Sequence, residues 1–237
     1  MTLYDTHFHL KDDDNAGAII SRARAAGVSY LNLISCNRED TTRSLAIARE
    51  FDIFTTAGIH PLDIDSFDGD YQFFEDALKD PRVVGVGEIG LDYFYHKEES
   101  QQQKQREIFS RFLQMSASCG KPAIIHCRDA FEDCYTALKE NLKAQQSFII
   151  HCYTGDQYWA EKFVELGAYI SYSGIVTFKN AKPLQEVARA LPLSSILIET
   201  DSPYLTPMPY RGKPNYPAYV RFVAEFLAQL RDISLAE

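Results

Sequence analysis

The chain has 237 residues, 46% of them hydrophobic, which is ample for a sizeable core and leaves nothing that looks disordered. Its 24 Lys and Arg against 33 Asp and Glu give a net charge of -9, which excludes a broad basic face for gripping duplex nucleic acid. Five cysteines with no C-x-x-C pair read as reduced and mostly buried thiols rather than a disulfide framework. The longest apolar runs, such as 123–125 and 148–150, are far too short to cross a bilayer.

Leu3 and Tyr4 open a strand that runs into Asp5-Thr6-His7-Phe8-His9. Residues 16–26 have helical composition and stop at Gly27, and 28–34 form a near-continuous apolar strand of the kind buried on both faces of a parallel sheet. The couplet then repeats. Helix is expected over 41–51, 71–79 (ahead of Pro81), 101–119 (closed by Gly120), 130–142, 156–166 (capped by Asp156), 182–191 and 218–230. Strands are expected over 53–58, 83–87, 123–126, 148–151, 168–173 and 196–199. Eight such couplets describe a (β/α)8 barrel, here a single domain over 1–237. An open doubly wound sheet is the structural alternative, weakened because no glycine-rich phosphate loop follows the first strand.

In such a barrel the chemistry collects at the carboxyl ends of the strands. Alternation along the first strand turns His7 and His9 the same way. Glu88, His126, His151 and Asp201 close or follow four later strands. Imidazoles and carboxylates without thiolates suit Zn, Mn or Mg, and six ligands exceed what one ion needs. The set divides into His7, His9 and Asp201 on one divalent ion and His126 and His151 on a second, with Glu88 bridging. Two such ions roughly 3.5 to 4 Å apart acidify a shared water, which is hydrolysis chemistry. Asp201 is the candidate base and Glu88 the second catalytic carboxylate.

His60, ending strand 3, and Arg128, two residues past His126, are the candidate substrate contacts, the guanidinium being suited to phosphate or carboxylate. Pairing with Asp129 is the plainer role for Arg128. Cys127 and Cys152 each follow a ligand and so face away as packing residues. Asp5 either holds an imidazole tautomer or is a structural carboxylate. The run Tyr93-Phe94-Tyr95 either packs or stacks on a base.

These motifs together resemble the TatD family of metal-dependent deoxyribonucleases, within the amidohydrolase-like barrels. The resemblance rests on residues 5–9, Gly58-Ile59-His60-Pro61, the run from Gly87 to Tyr93, His126-Cys127-Arg128-Asp129-Ala130, the run from His151 to Gly155 and that from Glu199 to Leu205. It implies a divalent-metal hydrolase acting on DNA, often from the 3′ end of single strands, with His7, His9, Glu88, His126, His151 and Asp201 as metal ligands. It places His60 and Arg128 near the phosphate site. Members of the family usually continue past the closing helix, whereas this chain stops at 237, a difference expected to bear on stability rather than on the ligands. A barrel hydrolase of small esters, lactones or amides, and a non-catalytic metal-stabilised binding protein, are the competing readings. The expected partner is a single-stranded DNA end. No membrane and no obligate protein partner is expected, and the expected location is the cytoplasm.

Overall fold

The computed structural model describes residues 2–144 and 146–236; the ends of the predicted domain, 1 and 237, and residue 145 lie outside the described residues. Among the described residues eight strands alternate with eight helices. The first half comprises β1 (Leu3–Phe8), α1 (Ala16–Ala25), β2 (Val28–Leu33), α2 (Arg38–Phe51), β3 (Phe54–Ala57), α3 (Tyr71–Ala77), β4 (Val83–Asp92) and α4 (Glu99–Cys119). The second half comprises β5 (Ala123–Arg128), α5 (Phe131–Asn141), β6 (Phe148–Ile150), α6 (Gln157–Glu165), β7 (Ala168–Tyr172), α7 (Lys182–Ala190), β8 (Ile196–Ile198) and α8 (Val220–Arg231). One sheet takes the strands in sequence order, β1 to β8, and the pairs of known register are parallel. This is the (β/α)8 barrel that the couplets predict. No helix among the described residues is long and apolar enough to cross a membrane.

The chain groups into two compact units, each built from separated segments. One comprises the residues up to Leu33, Cys152–Glu161 and those from Ile170 onward. Its interior holds Phe8, Leu31, Leu33, Ile170, Tyr172, Val220 and Val223, all buried, and α8 packs on α7 and β1. The other comprises Ile34–His151 and Lys162–Tyr169. Here Phe74 and Phe112 meet edge to face at 5.1 Å, an arrangement in which one ring's positive edge meets the other's negative face. Gly120, at φ 72°, ends α4 in the left-handed conformation that costs glycine nothing, and its N–H caps the Ser116 carbonyl.

Four boundaries differ from expectation. Helix α2 begins at Arg38 because the Asn37 side chain accepts from the Asp40 N–H, capping the helix one turn earlier. Strand β4 continues to Asp92 and β5 to Arg128, so Glu88 and His126 lie within strands rather than at their ends. Strand β4 outruns its expected end at residue 87 because its glycines, which resemble turn punctuation in a sequence, do not end it. In the fold they permit close approach: a Cβ on Gly87 would sit 2.7 Å from Ile124 Cβ, and one on Gly90 (φ 144°) 1.9 Å from the His126 carbonyl oxygen. The β4–β5 register shifts between Val86 and Ile89, the segment that carries Glu88. His60 also sits beyond its strand, since β3 stops at Ala57.

Candidate metal centre

In the first unit β1 delivers His7, which is buried, and the residue after Phe8 delivers His9. Their Nε2 atoms lie 3.1 Å apart, as strand alternation requires of residues two apart on one side. Asp201, three residues past β8, places Oδ1 at 3.8 Å from His7 Nε2 and 3.5 Å from His9 Nε2. It stands at φ 53°, a conformation that few non-glycine residues adopt and that needs support from its surroundings. That support is visible on both sides. The Asp201 N–H donates to the His7 carbonyl (2.9 Å) and the His9 N–H to the Ser202 carbonyl (2.7 Å), which carries the sheet pairing past the strand ends.

Asp5 holds the residue before it: Oδ1 accepts from the Thr200 N–H at 2.8 Å and Oδ2 from the Thr200 hydroxyl at 2.6 Å. Asn215 adds a donor to the Thr200 carbonyl at 2.9 Å. Of the two roles open to Asp5, the structure therefore gives it the structural one, because its side-chain bonds go to Thr200 and the His7 backbone rather than to an imidazole. Burial pushes its carboxyl well above the usual range, against the opposing pull of the Thr200 bonds. Glu199, a residue of the run from Glu199 to Leu205, is fully buried and accepts the Cys152 N–H at 2.8 Å.

In the second unit three imidazole nitrogens surround one carboxylate oxygen. Oε1 of Glu88 lies 2.7 Å from His151 Nε2, 3.2 Å from His126 Nδ1 and 3.4 Å from His60 Nε2. His126 and His151 approach each other to 3.5 Å through the same two nitrogens. The other His126 nitrogen, Nε2, is 3.0 Å from Oδ2 of Asp92, a buried carboxylate that lies within the Gly87–Tyr93 run and has no role assigned from the sequence. Gln105 grips the Asp92 backbone from both sides, accepting its N–H and donating to its carbonyl. A signal for Asp92 existed: residues 88, 90 and 92 share one face of any strand that continues past Gly87.

These contacts separate ligand from donor. His126 donates Nε2–H to Asp92, which leaves the Nδ1 lone pair for a cation, the arrangement that carboxylates impose on metal-binding histidines. His60 is set the other way round: Nδ1 accepts the Leu62 N–H at 3.1 Å, so its neutral ring carries the proton on Nε2, facing Glu88. Burial lowers the His60 pKa, outweighing Glu88 and keeping that ring neutral. Burial pulls the His126 pKa down as well, but bonds to Asp92 and Glu88 overcome it and the value rises. Asp92 is lowered in spite of burial by His126, the Tyr95 N–H and the charge of Arg128.

The donor sets fit divalent cations. A metal–nitrogen length of about 2.0–2.1 Å gives ligand-to-ligand edges of roughly 3.3 Å in a tetrahedron. The edges of His7, His9 and Asp201 span 3.1 to 3.8 Å, and those of Glu88, His126 and His151 span 2.7 to 3.5 Å. The family model for TatD related DNases matches residues 4–237. The chain belongs to this family.

Two relatives of the TatD-family chain are an uncharacterized metal-dependent hydrolase of Bacillus subtilis, YabD, and one of Escherichia coli K12, YcfH. YabD is 39% identical over 99% of this chain and 93% of its own, and YcfH 37% identical over 100% and 91%. The crystal structure of the TatD homologue YjjV from Escherichia coli K12 superposes with a TM-score of 0.90 at 29% identity, covering 99% of this chain and 92% of that one. This TatD-family protein is a metal-dependent hydrolase. Arg128 does not form the alternative pair with Asp129; its guanidinium carbon lies 3.9 Å from the Phe94 ring centroid and 5.1 Å from that of Tyr95. The expectation of mostly buried thiols is corrected, since only Cys134 is buried and Cys119, the last residue of α4, is exposed. The Cys152 thiol shares a hydrogen bond with the Ser173 hydroxyl at 3.2 Å, a polar contact beyond the packing role expected of it.

Proposed function

We propose that this chain is a deoxyribonuclease that releases nucleotides from the 3′ ends of single-stranded DNA with two divalent ions. His7, His9 and Asp201 hold one, and His126, His151 and Glu88 the other. What carries the reading is Arg128: a guanidinium two residues past a ligand, stacked on aromatic rings, with its N–H edge suited to a phosphate. The family description, TatD related DNase, points the same way. The net charge of -9 favours a strand end bound locally over a clamped duplex, which would need many basic contacts.

When bound, the ions supply Lewis acidity, lowering the pKa of water and offsetting charge on the phosphoryl oxygens. The residues do the rest. Asp201 keeps one oxygen toward His7 and His9 and takes the proton of the attacking water with the other. Glu88 orients the imidazoles around it, His60 offers Nε2–H as a donor, and Arg128 holds the phosphate. Purified chain supplied with manganese or magnesium should release labelled nucleotide from 3′-labelled single-stranded DNA. No release by the native chain, or equal release by Asp201→Asn, defeats the reading.

A further inference from the structure

The loop after β4 presents two large rings to solvent. Phe94 is 43% and Tyr95 60% exposed, set edge to face at 4.9 Å between centroids with planes 90° apart. The stem of this loop is tied down by Tyr93, whose hydroxyl donates to Asp133 Oδ2 at 2.6 Å and accepts from Arg106 at 3.0 Å. Tyr93 is thus engaged in holding the loop, and Phe94 and Tyr95 are what the loop displays.

Arg128 lies against both rings, yet among the described residues no carboxylate stands within ion-pairing distance of its guanidinium. A guanidinium laid on an aromatic face satisfies its π-surface and leaves its in-plane N–H donors for another acceptor. The rings and the cation are also referenced to the metal centre. One carboxylate does this: Asp92 accepts the Tyr95 N–H at 2.9 Å through Oδ1 while its Oδ2 contacts His126 Nε2 at 3.0 Å. Arg128 and His126 share a face of β5, two residues apart. Packing alone does not call for exposed rings held in fixed relation to a metal ligand and to a guanidinium that touches no carboxylate among the described residues.

We propose that Phe94, Tyr95 and Arg128 form a nucleotide platform, on which the base next to the scissile phosphodiester stacks while Arg128 hydrogen-bonds the adjoining phosphate. The inference rests on the deoxyribonuclease reading and deepens it. Stacking tolerates any base because every base has a π-face, and it supplies the affinity that an acidic chain cannot draw from a basic groove.

The test compares two fluorescent, phosphorothioate-linked oligomers of equal length and charge, one an oligothymidylate and one abasic, binding to the full chain in manganese. Native protein should prefer the oligothymidylate by about tenfold or more. Phe94→Ala combined with Tyr95→Ala should bring the ratio to about one, and Arg128→Lys should weaken both oligomers alike. An unfolding midpoint of the double variant close to native assigns its loss to the platform rather than to the fold. Equal binding of the two oligomers by native protein, or an unchanged ratio in the well-folded double variant, overturns the platform; if nucleotide release persists, the nuclease reading survives. Binding of neither oligomer together with no release overturns both.

Discussion

Oδ2 of Asp92 lies 3.0 Å from Nε2 of His126, on the ring nitrogen opposite the one that faces Glu88. The bond fixes the tautomer that leaves Nδ1 a lone pair, and it fixes the ring's orientation. Removing such a partner typically lowers metal affinity by about 10- to 100-fold. Asp92→Ala should therefore weaken metal binding by that factor in a chelator competition titration, and Asp92→Asn, which keeps an acceptor, should weaken it less. Native affinity in Asp92→Ala would remove Asp92 from the account of the site.

The same bond sets a pH dependence. In the metal-stripped protein burial lowers the His126 pKa, bonds to Asp92 and Glu88 raise it more, and the net direction is upward from 6.5. A raised folded-state value means that the contribution to stability is fully present below the unfolded value near 6.5 and is lost as pH rises through the folded value. Metal loading has the opposite sense, because the ligand must be neutral, so affinity should fall as pH drops below the raised value. Imidazole proton shifts followed by NMR should show His126 titrating above an ordinary histidine and moving down in Asp92→Asn. A downward shift in the native apo-protein contradicts this assignment.

Among the candidate ligands, His126 and His151 are legible because each directly follows a short apolar run, Ala123-Ile124-Ile125 and Phe148-Ile149-Ile150. His7 and His9 could be paired by alternation alone, and the eight couplets set the fold class through their punctuation by Gly27, Gly120 and Gly167. Asp92 escaped notice because Gly85, Gly87 and Gly90 look like the end of a strand, whereas they are what lets β4 run on beside β5. The role of Asp5 stayed open because choosing between an imidazole and Thr200 requires knowing that residue 200 is beside residue 5, a pairing across 195 positions. The tautomer of His60 depends on a backbone N–H two residues away, which no side-chain pattern encodes.

Gly87 carries a steric prediction. A methyl group there meets Ile124 at 2.7 Å to Cβ and 2.8 Å to the carbonyl oxygen, so the Gly87→Ala chain must move either a core side chain or a sheet backbone. Overpacking of this kind costs about 1–3 kcal/mol. Calorimetry should show a lower unfolding midpoint for Gly87→Ala. Because Glu88 is the next residue, metal affinity should fall with it. An unchanged midpoint would mean that β4 and β5 are not as close as described.

Asp5 gives a stability prediction of a different origin. Its carboxylate accepts both the N–H and the hydroxyl of Thr200, and all three groups are buried. Asp5→Ala leaves two donors without a partner, at a cost of about 1–3 kcal/mol each, and removes the brace one residue before Asp201. Thr200→Val alone should destabilise in urea unfolding, since it removes the bond to Asp5 and the acceptor of the Ser202 N–H, and it should cost less in the Asp5→Ala background, where the bond to Asp5 is already gone. Additive effects of the two substitutions would show that the Asp5–Thr200 bond contributes nothing.

Metal stoichiometry separates the two ligand sets. If each set holds its own ion, native protein reconstituted with zinc or manganese contains about two ions per chain, and extensive chelation should abolish hydrolysis until either metal is restored. His7→Ala with His9→Ala removes two of the three donors of the first set and should leave about one ion. His126→Ala with His151→Ala should do the same for the second. Those losses should be independent: neither pair of substitutions should strip the ion bound by the other. Elemental analysis of the three purified chains decides it: a native content of one would mean that the sets do not each hold an ion, and a content of zero in either variant that the two ions bind dependently.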